Sequence, residues 1–271
     1  MTGEPNLRVR VLARALRDLR QRNRMTQEEA GRRLRFSNRK VSRLETFQMP
    51  NFHELRAMLD LYRVPDDQRD PYLAMWEQAK QKGWWRAYGL SDRGYIPLEA
   101  QASSIRSVQL GMLHGLLQTS AYCRSFAAGL PEAEREDALS VQERRRQRLT
   151  EDPPLLLHAI VDERVLRADG PFMAEQLSHI VKLAEFDSVT FQVLPAEQNG
   201  VLGLSGSFAL LSFPGSDHSD IVHVDHIAGS WLLEKEAEIQ ACVTAFDTLT
   251  GAALDPEESV ALVDRMARDA R

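Results

Sequence analysis

A chain of 271 residues is too long for one small helical bundle and suits two domains. Its 43% hydrophobic and 27% charged residues are the balance of an ordinary globular protein, and no run of about eighteen apolar residues occurs, so no membrane-spanning helix is expected. The net charge of −5 is unevenly spread: residues 1–48 hold thirteen Lys/Arg against five Asp/Glu, a local +8 that leaves −13 for the remainder. A basic end on an acidic chain is the electrostatic footprint of a part that meets a polyanion.

In chain order, Met1-Thr2-Gly3-Glu4-Pro5 lacks the apolar core of a signal peptide, and a cytoplasmic location is expected. Val9, Leu12, Ala13, Leu16 and Leu19 recur three and four apart and predict a first helix, with Arg10, Arg14, Arg17 and Arg20 on its other face. Thr26 is the N-cap of a second helix, and Glu29 three residues on predicts a capping box. Gln27 takes the first helical position, where its amide and the free backbone N–H groups can meet a phosphate. Small Ala30 and Gly31 let a neighbouring helix approach, and Leu34 turns inward.

Ser37 caps the next helix, and Phe36 before it packs on Val41 as a hydrophobic staple. With Val41 and Leu44 inward, Asn38, Arg39, Lys40, Ser42 and Arg43 point outward, the residue types that hydrogen-bond base edges and phosphates. Two short capped helices joined by a tight corner are the layout of a helix-turn-helix, whose second helix enters the DNA major groove. Asn reads adenine and Arg reads guanine in bidentate fashion, each giving roughly 1–3 kcal/mol of discrimination. The DNA-binding set is therefore Gln27, Ser37, Asn38, Arg39, Lys40, Ser42 and Arg43, without a choice of which touch bases. A fourth helix over 52–62 carries Leu55, Met58, Leu59 and Tyr62 inward, and a fifth over 66–82 carries Tyr72, Leu73, Trp76 and Ala79.

Thr26-Gln27-Glu28-Glu29, then Ser37, then Ser42-Arg43-Leu44-Glu45, resembles the Xre-type, phage-repressor-like helix-turn-helix family over about residues 9–64. That family usually has Gly in the corner where this chain has Arg35, and another where it has Phe47. A left-handed Arg35 costs on the order of 1 kcal/mol relative to glycine.

Lys82-Gly83-Trp84-Trp85-Arg86 breaks the helical pattern and sets the expected boundary between a DNA-binding domain, 1–82, and a regulatory domain, 83–271. The paired tryptophans read as a hydrophobic clasp between domains in preference to a ligand-stacking platform. Helical patterns follow over 98–107, over 119–128 with Thr119 as N-cap, and over 131–149. The last ends in Glu143-Arg144-Arg145-Arg146-Gln147-Arg148 but also carries Glu132, Glu134, Glu136 and Asp137, which makes a solvated or partner-facing helix of it. Strand-like runs at 155–161, 189–194, 207–212, 221–226 and 230–233 alternate with helical patterns at 171–186, 236–249 and 256–270. The fold expected is a mainly α helix-turn-helix bundle plus an α+β C-terminal domain with a small sheet, its strand order open. Isolated Cys123 and Cys242 read as small core residues in a reducing compartment, with no disulfide.

Trp84-Trp85, Leu98-Glu99, Gly115-Leu116-Leu117-Gln118-Thr119 with Tyr122, and Arg144 to Arg148 are similar to the C-terminal domain of a large actinobacterial regulator family that includes the WhiJ-like developmental regulators. Asp162-Glu163 with Leu166, Gln176-Leu177, Gln192-Val193-Leu194-Pro195 and Gly206-Ser207-Phe208 extend the likeness to about residues 84–265, with His114 where the family commonly has Pro. The resemblance implies a regulator whose C-terminal domain binds a small protein encoded nearby. It also implies differentiation, antibiotic production or toxin–antitoxin-like behaviour, without choosing among them.

Asp217-His218, Asp220, His223, Asp225 and His226 are the densest group of metal-ligand types. On a strand His223 and Asp225 face one side and His226 the other, so a polar strand edge is expected and no metal. Asp162, Glu163 and Arg164 have no matched nucleophile, and a helix N-terminus stabilised by its own acids accounts for them. Gly200, Gly203 and Gly206 make a turn without the Lys-Ser/Thr of a phosphate loop. No catalytic residue and no cofactor is expected. The partners expected are double-stranded DNA, a second copy of the chain (two recognition helices a turn apart read a palindrome) and a small protein. The alternatives are a C-terminal domain that senses or converts a small molecule, or an antitoxin.

Overall fold

Threonine, serine and asparagine oxygens at Thr26, Ser37 and Asn51 accept backbone N–H groups three residues on and start three of the helices in the first unit of the chain. In the computed structural model, which describes residues 7–92, 94–200, 206–213, 220–226 and 229–270, that unit is Met1–Pro97. It comprises α1 (Leu7–Arg22), α2 (Gln27–Leu34), α3 (Asn38–Leu44), α4 (Phe52–Leu61) and α5 (Asp70–Lys80). Leu12, Leu16, Ala30, Val41, Leu44, Leu55, Met58, Leu59 and Tyr62 form its core, with Leu34, Phe36, Tyr72, Leu73 and Trp76 packed against it. The helix expected over 66–82 is divided: a 3₁₀ turn at Asp66–Gln68 precedes α5, and Pro71 in the first turn of α5 fixes where that helix starts. Thr26 accepts from Glu29 N, but the expected capping box is only half made, because the Glu29 carboxylate turns to Arg33 at 2.6 Å. A full box forms instead at Asn51 and Glu54.

A 3₁₀ turn at Trp84–Tyr88 follows. Trp85 is buried and folds over Gly83, its indole Nε1 donating to Asp92 Oδ1 at 2.9 Å, while Trp84 meets Tyr88 edge-on.

The second unit, Leu98–Arg271, is built on one six-stranded sheet. Its strands are β1 (Ser104–Gln109), β2 (Leu156–Asp162), β3 (Val189–Leu194), β4 (Phe208–Ser212), β5 (Ile221–His226) and β6 (Gly229–Leu233), ordered β3-β2-β1-β4-β5-β6. β1, β2 and β3 run parallel, with Ile105 opposite Leu157 and Leu157 opposite Val189. β4, β5 and β6 continue from β1 as an antiparallel meander. The helix expected over 98–107 is a correction: α6 (Tyr95–Glu99) covers only its first two positions, and Ser104–Gln109 is a central strand. Ile105 and Val108 are three apart, a helical spacing, yet pairing on both sides by β2 and β4 decides the conformation.

The remaining helices are α7 (Ser120–Phe126), α8 (Glu132–Arg146), α9 (Glu163–Leu166), α10 (Met173–Leu183), α11 (Glu236–Ala252) and α12 (Pro256–Asp269). α11 lays Ile239, Phe246 and Leu249 on one sheet face against Val108, Ile160, Leu210 and Val222. Buried Gln176 of α10 accepts from Thr119 N and donates to Leu117 O, tying α10 to the start of α7. The outer edge of β3 is not left bare: Leu254 N donates to Val193 O, and Val193 N donates to Ser259 Oγ, both at 2.9 Å. Cys123 and Cys242 are free and half-buried. Among the described residues no helix is long and apolar enough to cross a membrane.

Candidate nucleic-acid interface

The corner between α2 and α3 turns on Arg35, whose backbone is left-handed at φ 57°, ψ 35°. Ser37 then accepts from Lys40 N at 3.2 Å and opens α3. Val41 and Leu44 are fully buried beneath that helix, which fixes its rotation about its own axis. Ser37, Asn38, Arg39 and Arg43 are exposed as a consequence, and Ser42 is half-exposed. These five positions therefore offer hydrogen-bonding groups to solvent, two of them guanidinium.

Arg20 is a correction. Expected on the outer face of the first helix, it is 7% exposed and donates Nε and Nη2 to the two carboxylate oxygens of Glu45 at 2.8 and 2.9 Å. Its Nη1 donates to Met25 O at 2.6 Å. The hydrogen bond to Glu45 raises the Arg20 pKa above the ordinary arginine value, so the guanidinium stays charged. Gln27 Nε2 donates to Glu45 Oε2 at 3.0 Å, and the Tyr62 hydroxyl stands 3.4 Å from Glu45 Oε1. Burial first, then the charge on Glu45, push the Tyr62 hydroxyl pKa up and keep it protonated. One carboxylate thus collects α1, the first residue of α2, the end of α3 and the end of α4. Gln27 keeps its expected place at the first position of α2, with its side chain held by Glu45.

Lys40 differs from its neighbours on α3. Its ammonium lies 4.3 Å from the centre of the Phe36 ring and 2.5 Å from Glu54 Oε1. Glu54 in turn accepts from Asn51 N at 2.9 Å through its other oxygen. Burial alone would raise the Glu54 carboxyl pKa, but the hydrogen bonds from Lys40 and the Asn51 backbone outweigh it and hold the pKa below the ordinary value. The signal was present in the sequence, since Asn51 and Glu54 stand at capping-box spacing.

The basic run at the end of α8 finds partners within the second unit, while Glu132, Glu134, Glu136 and Asp137 earlier in the helix are exposed, as a solvated helix requires. Arg145 forks onto buried Glu99 at 2.6 and 2.8 Å. Arg144 and Arg148 share Glu151, each at 3.0 Å, and Arg146 pairs with Glu143. Asp162 caps α9, accepting from Arg164 N at 2.8 Å, and Glu163 pairs with Arg167. On β5, His223 Nε2 lies 3.7 Å from Asp225 Oδ1, and His226 stacks on Trp231. Among the described residues no three His, Cys, Asp or Glu side chains converge as a metal site. Asp217 and His218 lie outside the described residues, as does most of the glycine loop, 201–205.

Residues 11–71 match a helix-turn-helix domain, and residues 93–265 match a family described as a domain of unknown function, DUF5753. No curated protein and no solved structure matches the chain. A match over most of the chain, with the helix-turn-helix ahead of it, places this protein in the DUF5753 family.

Proposed function

We propose that the chain is a transcriptional regulator that reads operator DNA with α3 in the major groove. The observation that carries this reading is the rotation of α3: Val41 and Leu44 lock one side into the core, which leaves Asn38, Arg39 and Arg43 facing out. Asn38 and Arg39, in the first turn, take base edges, and Ser37, Ser42 and Arg43 take phosphate or flanking bases. Gln27 offers a phosphate the backbone N–H groups at the start of α2. The resemblance of Thr26–Glu29 and Ser42–Glu45 to Xre-type regulators supports the same placement.

The protein acts as a homodimer in the cytoplasm, because one short helix reads too few base pairs for an operator. The DUF5753 domain receives the regulatory signal, and the WhiJ-like resemblance favours a small protein as its bearer. No catalysis is assigned to the chain.

The test is selection of bound fragments from the source genome by the full chain and by an Arg39→Ala, Arg43→Ala double variant. Enrichment of a short palindrome, lost in the variant, is expected. Equal enrichment by both proteins would remove α3 from the interface.

A further inference from the structure

Lys40 sits in the middle of the proposed reading helix, yet its charge is already taken. Its ammonium is clamped between the Phe36 ring and Glu54, with the Lys40 side chain 30% exposed and the Glu54 side chain 14% exposed. The clamp is rigid from the Glu54 side, because the same carboxylate closes the capping box with Asn51 and is anchored to the first turn of α4. Asn38, Arg39 and Arg43, by contrast, make no side-chain hydrogen bond or ion pair to any described residue.

We propose that Glu54 is a positioning residue that withholds Lys40 from the DNA backbone and so sets the sequence-blind, salt-dependent part of the affinity. The inference rests on the DNA-reading function given above. Attraction of a lysine to phosphate is blind to sequence, whereas the bidentate contacts open to Asn38 and Arg39 are not. Neutralising Lys40 internally lowers binding to every duplex alike and leaves base reading untouched. The ratio of operator to non-operator affinity stays as the base contacts set it, while occupancy of competing non-specific sites and the sensitivity to salt both fall. Glu54 acts through Lys40 and touches no base itself.

The experiment compares the full-length wild type with Glu54→Gln, Lys40→Met, the double variant and Arg43→Ala on a short mixed-sequence duplex, from about 50 to 200 mM salt. Gln at 54 keeps an oxygen for Asn51 N, and thermal melting verifies that the fold is retained. Glu54→Gln is expected to bind several-fold tighter at the low-salt end and to steepen the log–log salt slope by about 0.9, the share of one phosphate contact. The double variant is expected to return to the wild-type slope, and Lys40→Met alone to leave it unchanged. A capping role alone would alter melting without moving the slope.

An unchanged slope in Glu54→Gln, beside a flattened one in Arg43→Ala, overturns the masking and leaves the DNA reading standing. A flattened slope in Lys40→Met also overturns it, since Lys40 would then already reach phosphate. If the wild type holds no duplex, the masking survives only if Glu54→Gln gains binding. Failure there removes both.

Discussion

The carbonyl oxygen of Phe36 lies 2.8 Å from the point that a β-carbon on Gly31 would occupy. The neighbour that needs a small residue here is the backbone of the corner, which Phe36 N secures by donating to Gly31 O at 2.8 Å. A backbone oxygen cannot swing aside as a side chain can, so Gly31→Ala must shift the corner itself. It is expected to destabilise the first unit by roughly 1–3 kcal/mol, read as a lower urea midpoint. A midpoint equal to wild type would mean that the corner yields freely.

Glu45 gathers partners from three other helices, and its removal leaves Arg20 charged and buried without a counter-ion. Glu45→Ala is expected to cost about 3–5 kcal/mol by chemical denaturation. Replacing both members with apolar residues of similar size, Arg20→Met with Glu45→Leu, is expected to recover most of that loss. A double variant as unstable as Glu45→Ala would place the cost in lost packing, not in the stranded charge.

Arg24, Arg35 and Arg63 all hold left-handed backbones, at φ 55°, 57° and 56°. Arg35→Gly relieves the contact between its β-carbon and its own carbonyl and is expected to stabilise the first unit by about 1 kcal/mol. Differential scanning calorimetry of the full chain reads this as a rise in the lower-melting or shared transition. A fall would mean that the Arg35 side chain contributes more than its backbone costs.

Acid should loosen the second unit through its buried histidines. His114 is buried, and its desolvation, with Arg145 and His223 nearby, outweighs the attraction of Glu99 and holds its pKa down to about 4. Burial also lowers the pKa of His158, His179 and His223. The unfolded chain takes up a proton near pH 6.5, while folded His114 stays neutral until about pH 4. Stability is therefore whole above pH 6.5 and falls as pH drops through that window, by up to about 1.4 kcal/mol per pH unit for this one group. Urea midpoints of the wild type should decline between pH 6.5 and 4.5, and those of His114→Gln more shallowly. Parallel profiles would assign the decline to other groups.

What the sequence disclosed was local. Thr26, Ser37 and Thr119 announce helix starts because a cap is settled by the next three residues. Val189–Leu194 and Ile221–His226 read as strands because buried runs of β-branched residues have few other uses. The misread places are those where a distant partner decides. Ser104–Gln109 becomes a strand only between β2 and β4, and Arg20 goes inside only because Glu45, 25 residues on, meets it there. On α3 the exposure of Asn38, Arg39 and Arg43 followed from the period of the helix that also put Lys40 and Ser42 outward, whereas the ion pair of Lys40 needed Glu54 on the next one.

The strand order also sets a timetable for synthesis. The core of the first unit closes on residues up to Trp76, all near one another in sequence. β1, the middle of the second unit, gains its neighbour β4 only once Ser212 has left the ribosome. At about 5–20 residues per second the interval is on the order of ten seconds. During it the nascent chain carries a folded helix-turn-helix unit without its completed DUF5753 domain, and long-range strand pairing is slow to follow. Any restraint that the DUF5753 domain places on DNA binding is therefore imposed after the helix-turn-helix is already formed.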